Sequence, residues 1–178
     1  MIYEIIMAGF GGQGVMLMGQ LLTYAGMLED KKVSWIPSYG PEMRGGTANC
    51  SVIISDEPIG SPIVTEPTLV VAMNLPSMDK FESALQSGGV LIINSSLIER
   101  EVRRDDIKVF KVPANDIAAE LGNIKTANMV IVGALIGATG IVAAEAVLKA
   151  FAKMFAKKPE LLAINEQAIK RGMQFIQK

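Results

Sequence analysis

Ile2-Tyr3-Glu4-Ile5-Ile6-Met7-Ala8-Gly9-Phe10-Gly11-Gly12-Gln13-Gly14 passes from an apolar strand segment, Ile2 to Met7, into a glycine-rich turn, and a helical pattern begins directly behind it. Val15, Met18, Leu22 and Ala25 recur at helical spacing, while Gln20, Thr23 and Tyr24 fall off that stripe. Strand, turn and helix in this order are the context in which G-x-G-x-x-G, here Gly9 to Gly14, carries meaning. Glycine permits positive φ and removes the Cβ, so the loop amides and the helix amino terminus can face an anion at close range. A phosphate-bearing ligand is therefore expected. The plain alternative is a turn tightened by glycine with no ligand role.

Spacing narrows the choice of phosphate. A nicotinamide dinucleotide site asks for an acid about 20 residues on, at the end of the second strand. That place holds Ser34, Trp35 and Ile36, and Glu29 and Asp30 come before the strand rather than after it. No Gly-Lys-Ser/Thr follows the turn, which argues against nucleotide hydrolysis.

Beyond the turn, short runs rich in Ile and Val alternate with segments of helical period, the pattern of strands feeding crossover helices. Strands are expected at Ile2 to Met7, Val33 to Ile36, Asn49 to Ser55, Leu69 to Met73, Val90 to Asn94 and Lys108 to Val112. Several are too uniformly apolar for a sheet with a wet face, so helices should cover both sides. Helices are expected to begin near Pro76, Pro113, Thr126 and Pro159, since proline fits the first helical turn. Two later stripes, Ala144, Leu148, Phe151, Phe155 and Leu162, Ile169, Met173, Ile176, read as packing faces. The fold class is α/β: a three-layer α/β/α arrangement on a mostly parallel, Rossmann-like sheet, with residues 1–178 as a single domain. In such sheets ligands collect beyond the carboxyl ends of the strands, here Gly9 to Gly14, Ser38 to Gly46, Asn74, Asn94 to Ser96, and Asn115.

Composition excludes several classes. Seventeen basic and 18 acidic residues nearly cancel, leaving no overall field to attract nucleic acid. The longest apolar stretch, Met129 to Ala144, is interrupted by Gly133, Gly137, Thr139 and Gly140 and falls short of the roughly 20 residues of a membrane span, so it reads as buried helix and no membrane is expected. The acidic Met1-Ile2-Tyr3-Glu4 lacks a basic secretory n-region, so a cytoplasmic protein is expected. One cysteine, Cys50, in a strand, reads as inert core and cannot supply the about four thiolates of an iron–sulfur cluster. With no histidine, Ser-His and Cys-His dyads and imidazole-bearing metal sites are ruled out, and no catalytic or metal-ligating residue is assigned. Hydrophobic residues make up 50% of the chain, which suggests a permanent partner surface.

A second loop concentrates chemistry: Ser38-Tyr39-Gly40-Pro41-Glu42-Met43-Arg44-Gly45-Gly46. Arg44 offers a planar charged fork for carboxylate or phosphate, Glu42 could orient it, and Gly45 and Gly46 keep the surroundings open. A surface turn with a weak local ion pair is the alternative. If the sheet is parallel there, this loop lies beside the glycine turn.

Taken in order, Gly9-Phe10-Gly11-Gly12-Gln13-Gly14, then Ser38 to Gly46, then Thr126-Ala127-Asn128-Met129 leading into the glycine-spaced apolar helix, the chain strongly resembles the gamma subunit of 2-oxoacid:ferredoxin oxidoreductases over nearly its whole length. The resemblance implies a subunit, not catalytic alone, of an enzyme that oxidatively decarboxylates a 2-oxo acid, passes the acyl group to coenzyme A and gives the electrons to ferredoxin. It implies alpha and beta partners, and in some members a ferredoxin-like delta subunit, which hold thiamine diphosphate and iron–sulfur clusters; coenzyme A binds at the subunit border and this chain holds no cofactor by itself. The site residues carried over are Gly9, Gly11, Gly12, Gln13, Gly14, Tyr39, Arg44, Gly45 and Asn128. The acid that activates thiamine belongs to another subunit, which leaves Glu42 a structural or ligand-orienting role. A subunit of an indolepyruvate-type oxidoreductase and a non-catalytic nucleotide-binding regulatory module stay open as alternatives.

Overall fold

Six runs of Ile and Val pair into one sheet of order β2-β3-β1-β4-β5-β6 in a computed structural model that describes residues 1–39 and 47–177. The strands are β1 (Ile2–Phe10), β2 (Lys32–Tyr39), β3 (Thr47–Ser55), β4 (Leu69–Ala72), β5 (Val90–Asn94) and β6 (Lys108–Val112). The helices are α1 (Val15–Leu28), α2 (Leu75–Phe81), α3 (Ala114–Glu120), α4 (Ala127–Thr139), α5 (Ala144–Met154) and α6 (Glu160–Ile176). All six expected strands form, and helices start where Pro76, Pro113, Thr126 and Pro159 pointed.

Pairings β1–β4, β4–β5 and β5–β6 are parallel, whereas β3 is antiparallel to both β1 and β2. Strand β2 is therefore not a parallel neighbour of β1, the arrangement that would set the second loop beside the glycine turn; β3 lies between them. Because both flanking strands oppose β3, they run the same way and end on the same rim: Tyr39 pairs with Ala48, and Ala48 with Gly9. Strand β2 also runs past its expected end at Ile36 and through Pro37 to Tyr39, which an edge strand tolerates because one side of its backbone needs no partner.

Alternation along the strands splits the core in two. On one face Ile5, Met7, Cys50, Val52, Ile54, Val71 and Ile92 pack with residues of α1 and α3 to α6. Each large aliphatic side chain buried here contributes about 1.5–3 kcal/mol. Helices α4 and α6 meet backbone to backbone: a Cβ on Gly133 would overlap the Ile169 carbonyl, and one on Gly172 the Val130 carbonyl. The apolar stretch Met129 to Ala144 is not one helix. It breaks at Gly140, whose φ of 63° closes α4, and α5 starts at Ala144. Glycine accepts that left-handed position without steric cost.

The opposite face is thinner. Ile6, Ala8, Val70, Ala72, Leu91 and Ile93 are covered by Met78 of α2, Leu85 and Ile98. Charge fastens this cover. Arg100 pairs with Glu82 at 2.6 Å and with Asp79 at 3.0 Å, the Arg103 amide donates to Glu82 at 2.5 Å, and Arg104 pairs with Asp106 at 2.5 Å while donating to the Leu85 carbonyl. Burial pushes the Glu82 carboxyl up, but Arg100 and the Arg103 amide outweigh it and hold the group below the usual carboxylate range. The Arg104 hydrogen bond lowers Asp106 to about 2. Among the described residues no helix is long and apolar enough to cross a membrane.

Candidate functional site at the rim of the sheet

Strand β1 ends at Phe10, and α1 does not begin until Val15, so four residues must reverse the chain above the sheet. Two adopt the left-handed region, Gly12 at φ 93° and Gly14 at φ 74°, a conformation that costs a residue with a Cβ about 1–3 kcal/mol. Gly14 is the cap of α1 and supplies no side chain to the first turn, which also carries no acid. The amides of Gly11, Gly12 and Gly14 find no acceptor among the described residues. The partial positive end of a 14-residue helix lies behind them, an electrostatic setting that favours negative charge.

The turn opens into a groove of about 280 Å³ lined by Phe10, Gly11, Gly12, Gly14, Val15, Met16, Tyr39 and Ala48. Tyr39 is 56% exposed and Phe10 37% exposed, so aromatic rings from two strands stand at the rim beside the amides. Of the residues singled out from sequence, Gly11, Gly12, Gly14 and Tyr39 thus meet in one groove. Arg44 and Gly45, with Glu42, lie outside the described residues.

Gln13, Gly9 and Asn128 sit differently. The Gln13 side chain turns under the loop: its Oε1 accepts from the Phe10 amide at 2.7 Å and its Nε2 donates to the Met73 carbonyl at 3.4 Å. Gly9 leaves room for that carboxamide, since a Cβ there would stand 2.5 Å from Gln13 Oε1. Asn128, on the first turn of α4 and 6% exposed, donates from Nδ2 to the Gly14 carbonyl at 3.4 Å and accepts from the Met129 amide at 2.9 Å.

Asn74, read from sequence only as a strand end, proves more connected than its neighbours. Its Oδ1 accepts from the Ser77 amide at 2.9 Å, capping α2, while its Nδ2 donates to Gln13 Oε1 at 3.4 Å. The cap was readable, because an Asn followed by Leu-Pro marks a helix start; the reach to Gln13, 61 positions away, was not. The other polar strand ends are consumed internally: Asn94 bonds Asn115 and the Ala114 amide, and Ser96 bonds Asp116. Cys50 is fully buried, its thiol pushed up to about 12 by burial, which agrees with inert core.

Fold and rim define an α/β domain whose glycine turn faces a groove at the carboxyl ends of β1 and β2. The pyruvate ferredoxin/flavodoxin oxidoreductase family model matches residues 4–175, and the chain belongs to that family. It is 37% identical over 177 residues to the ketoisovalerate oxidoreductase subunit VorA of Methanothermobacter marburgensis, covering 98% of this chain and 37% of that one. It is 38% identical over 169 residues to the 2-oxoglutarate synthase subunit KorC of Methanocaldococcus jannaschii, covering 92% and 90%. The chain thus spans little more than a third of the VorA relatives' length but nearly all of KorC. Among solved structures, the gamma subunit of a keto/oxoacid ferredoxin oxidoreductase from Geobacter sulfurreducens superposes with a TM-score of 0.83 at 30% identity over 98% of both chains. The 2-oxoglutarate:ferredoxin oxidoreductase of Magnetococcus marinus, solved with 2-oxoglutarate, coenzyme A and succinyl-CoA, shares the fold with a TM-score of 0.90 at 21% identity, over 99% of this chain and 31% of that one. The family read from the three sequence segments is the family found.

Proposed function

We propose that the chain, residues 1–178 acting as one domain, is the gamma subunit of a cytoplasmic 2-oxoacid:ferredoxin oxidoreductase and presents coenzyme A to an active site built mainly by other subunits. The observation that carries this is the set of amides on Gly11, Gly12 and Gly14 at the head of α1 that find no acceptor among the described residues and face a groove shared with Tyr39. Those amides would donate to phosphate oxygens and the aromatic rim would cover an apolar part of the ligand, with Arg44 and Gly45 as further ligand contacts. Gly9, Gln13 and Asn128 belong to the same site.

In this reading thiamine diphosphate supplies the decarboxylation chemistry on the alpha and beta subunits, the beta and ferredoxin-like subunits carry the iron–sulfur clusters, and ferredoxin takes the electrons. The apolar surface left on α1, where Tyr24, Met27 and Leu28 line a groove with Ala150, Lys153 and Met154, supports a life in such a complex. Purification of the native assembly, followed by ferredoxin reduction with pyruvate, 2-oxoglutarate and branched-chain 2-oxo acids in the presence of coenzyme A, tests the assignment. Ferredoxin reduction that depends on one of those acids supports it; a chain recovered as a monomer without thiamine- and cluster-bearing partners contradicts it. Within the assembled enzyme, Arg44→Ala should raise KM for coenzyme A several-fold, and an unchanged KM with intact assembly would remove Arg44 from the site.

A further inference from the structure

The glycine turn has two sides, and the side chains nearest to it sit on the protein side. We infer that Gln13 and Asn74 are positioning residues, a carboxamide prop that sets the shape of the Gly9 to Gly14 turn from below, and that Gln13 is not itself a ligand contact. The reading builds on the proposed coenzyme A site.

Three observations converge on the prop. Gln13 Oε1 is the only acceptor of the Phe10 amide among the described residues, at 2.7 Å, so the last strand amide before the turn is fixed by a side chain that follows it by three positions. Oε1 in turn accepts from Asn74, and Nε2 reaches the Met73 carbonyl, so the turn is tied to the end of β4. Asn74 is 4% exposed and also caps α2, which makes it rigid on both counts. The glycines agree with this division: Gly9 is kept small by Gln13, Met73 and Val15 and Gly14 by Asn128, whereas a Cβ on Gly12 would meet nothing within 4 Å among the described residues. Among the described residues, the side of the turn away from the sheet is thus backbone, and the carboxamides face inward. Preorganised donors of this kind raise affinity by removing the cost of ordering a loop on binding.

The prop makes a demand that a direct contact does not. Asn74→Ser keeps an oxygen able to cap α2 but withdraws the carboxamide Nδ2 that reaches Gln13, on a shorter side chain, and position 74 is outside the groove lining. In the assembled enzyme, Gln13→Ala and Asn74→Ser should each weaken coenzyme A binding by about tenfold, and the double variant should bind about as Gln13→Ala does, since both changes remove one device. Hydrogen exchange at the Phe10 amide, measured without coenzyme A, should accelerate at least tenfold in Gln13→Ala, and to a smaller degree in Asn74→Ser. A Phe10 amide that keeps its protection in Gln13→Ala overturns the prop whatever happens to binding. Weakened binding in Gln13→Ala with wild-type binding in Asn74→Ser overturns it in favour of direct contact, as does additivity in the double variant. If the wild-type assembly binds no coenzyme A, the ligand assignment fails on its own, and the exchange at Phe10 still decides whether the prop exists.

Discussion

Two groups of glycines in this chain do opposite work. Gly133 and Gly172 sit in helices that would tolerate any small residue locally, and they are glycine because two backbones touch. Gly12 and Gly14 sit in a turn where the backbone takes a left-handed conformation and where the amides find no acceptor among the described residues. The first group closes space; the second keeps it open. In one case the absent Cβ serves packing between α4 and α6, and in the other it serves access to the rim of the sheet.

Substitution to alanine should separate the groups. Gly172→Ala and Gly133→Ala drive a Cβ into a carbonyl on the facing helix, so α4 and α6 must part; a loss of about 3 kcal/mol or more is expected, read as a fall of roughly 6–12 °C in Tm for a chain of this size. Coenzyme A binding by the fraction that remains folded should be unaltered. Gly14→Ala carries both a left-handed backbone and an overlap with Asn128 Nδ2, and should cost about 2 kcal/mol together with a clear loss of affinity. Gly12→Ala has only the backbone cost, about 1 kcal/mol, yet its Cβ meets nothing within 4 Å among the described residues and stands at the groove, so its affinity loss should be large relative to its small shift in denaturation midpoint. A Gly12 variant with unchanged KM for coenzyme A would assign the turn to the packing group instead.

The smallest effect concerns the other cover of the sheet, which is fastened by charge rather than by close backbones. Glu82 and Asp106 both titrate below their ordinary values in the folded chain. Their contribution is therefore complete above the unfolded carboxylate range of about 4 and is lost as pH falls through their lower folded values, toward about 2 for Asp106. Denaturation midpoints followed from pH 6 down to pH 2, set here as roughly the window of carboxylate titration, should fall less steeply in Glu82→Gln and Asp106→Asn than in the wild type. Parallel slopes would mean that the Arg100 and Arg104 pairs do not hold this cover.

Much of this was readable before any coordinates. Apolar runs gave the six strands because sheets covered on both faces leave little choice of residue, and prolines gave the helix starts because proline tolerates few other places in a helix. The antiparallel placement of β3 was not readable: Asn49 to Ser55 reads the same in either direction, and only its pairing with β1 and β2 decides. The break at Gly140 was hidden by apolar residues on both sides, Ile136 before it and Ile141 and Val142 after it, that stay buried across the turn. At the site, glycine spacing located the turn and Tyr39 joined it, but the roles of Gln13 and Asn74 depend on a contact between distant parts of the chain that no local pattern encodes.

The central claim is that the Gly11, Gly12 and Gly14 amides are the surface that meets coenzyme A. Hydrogen exchange on the assembled enzyme, with and without coenzyme A, tests it most directly. Slowed exchange at those amides and at the first turn of α1, with no change in the α4–α6 seam around Gly133 and Gly172, is the predicted result. Protection of this chain confined to another surface, or none at a coenzyme A concentration that saturates turnover, would contradict it.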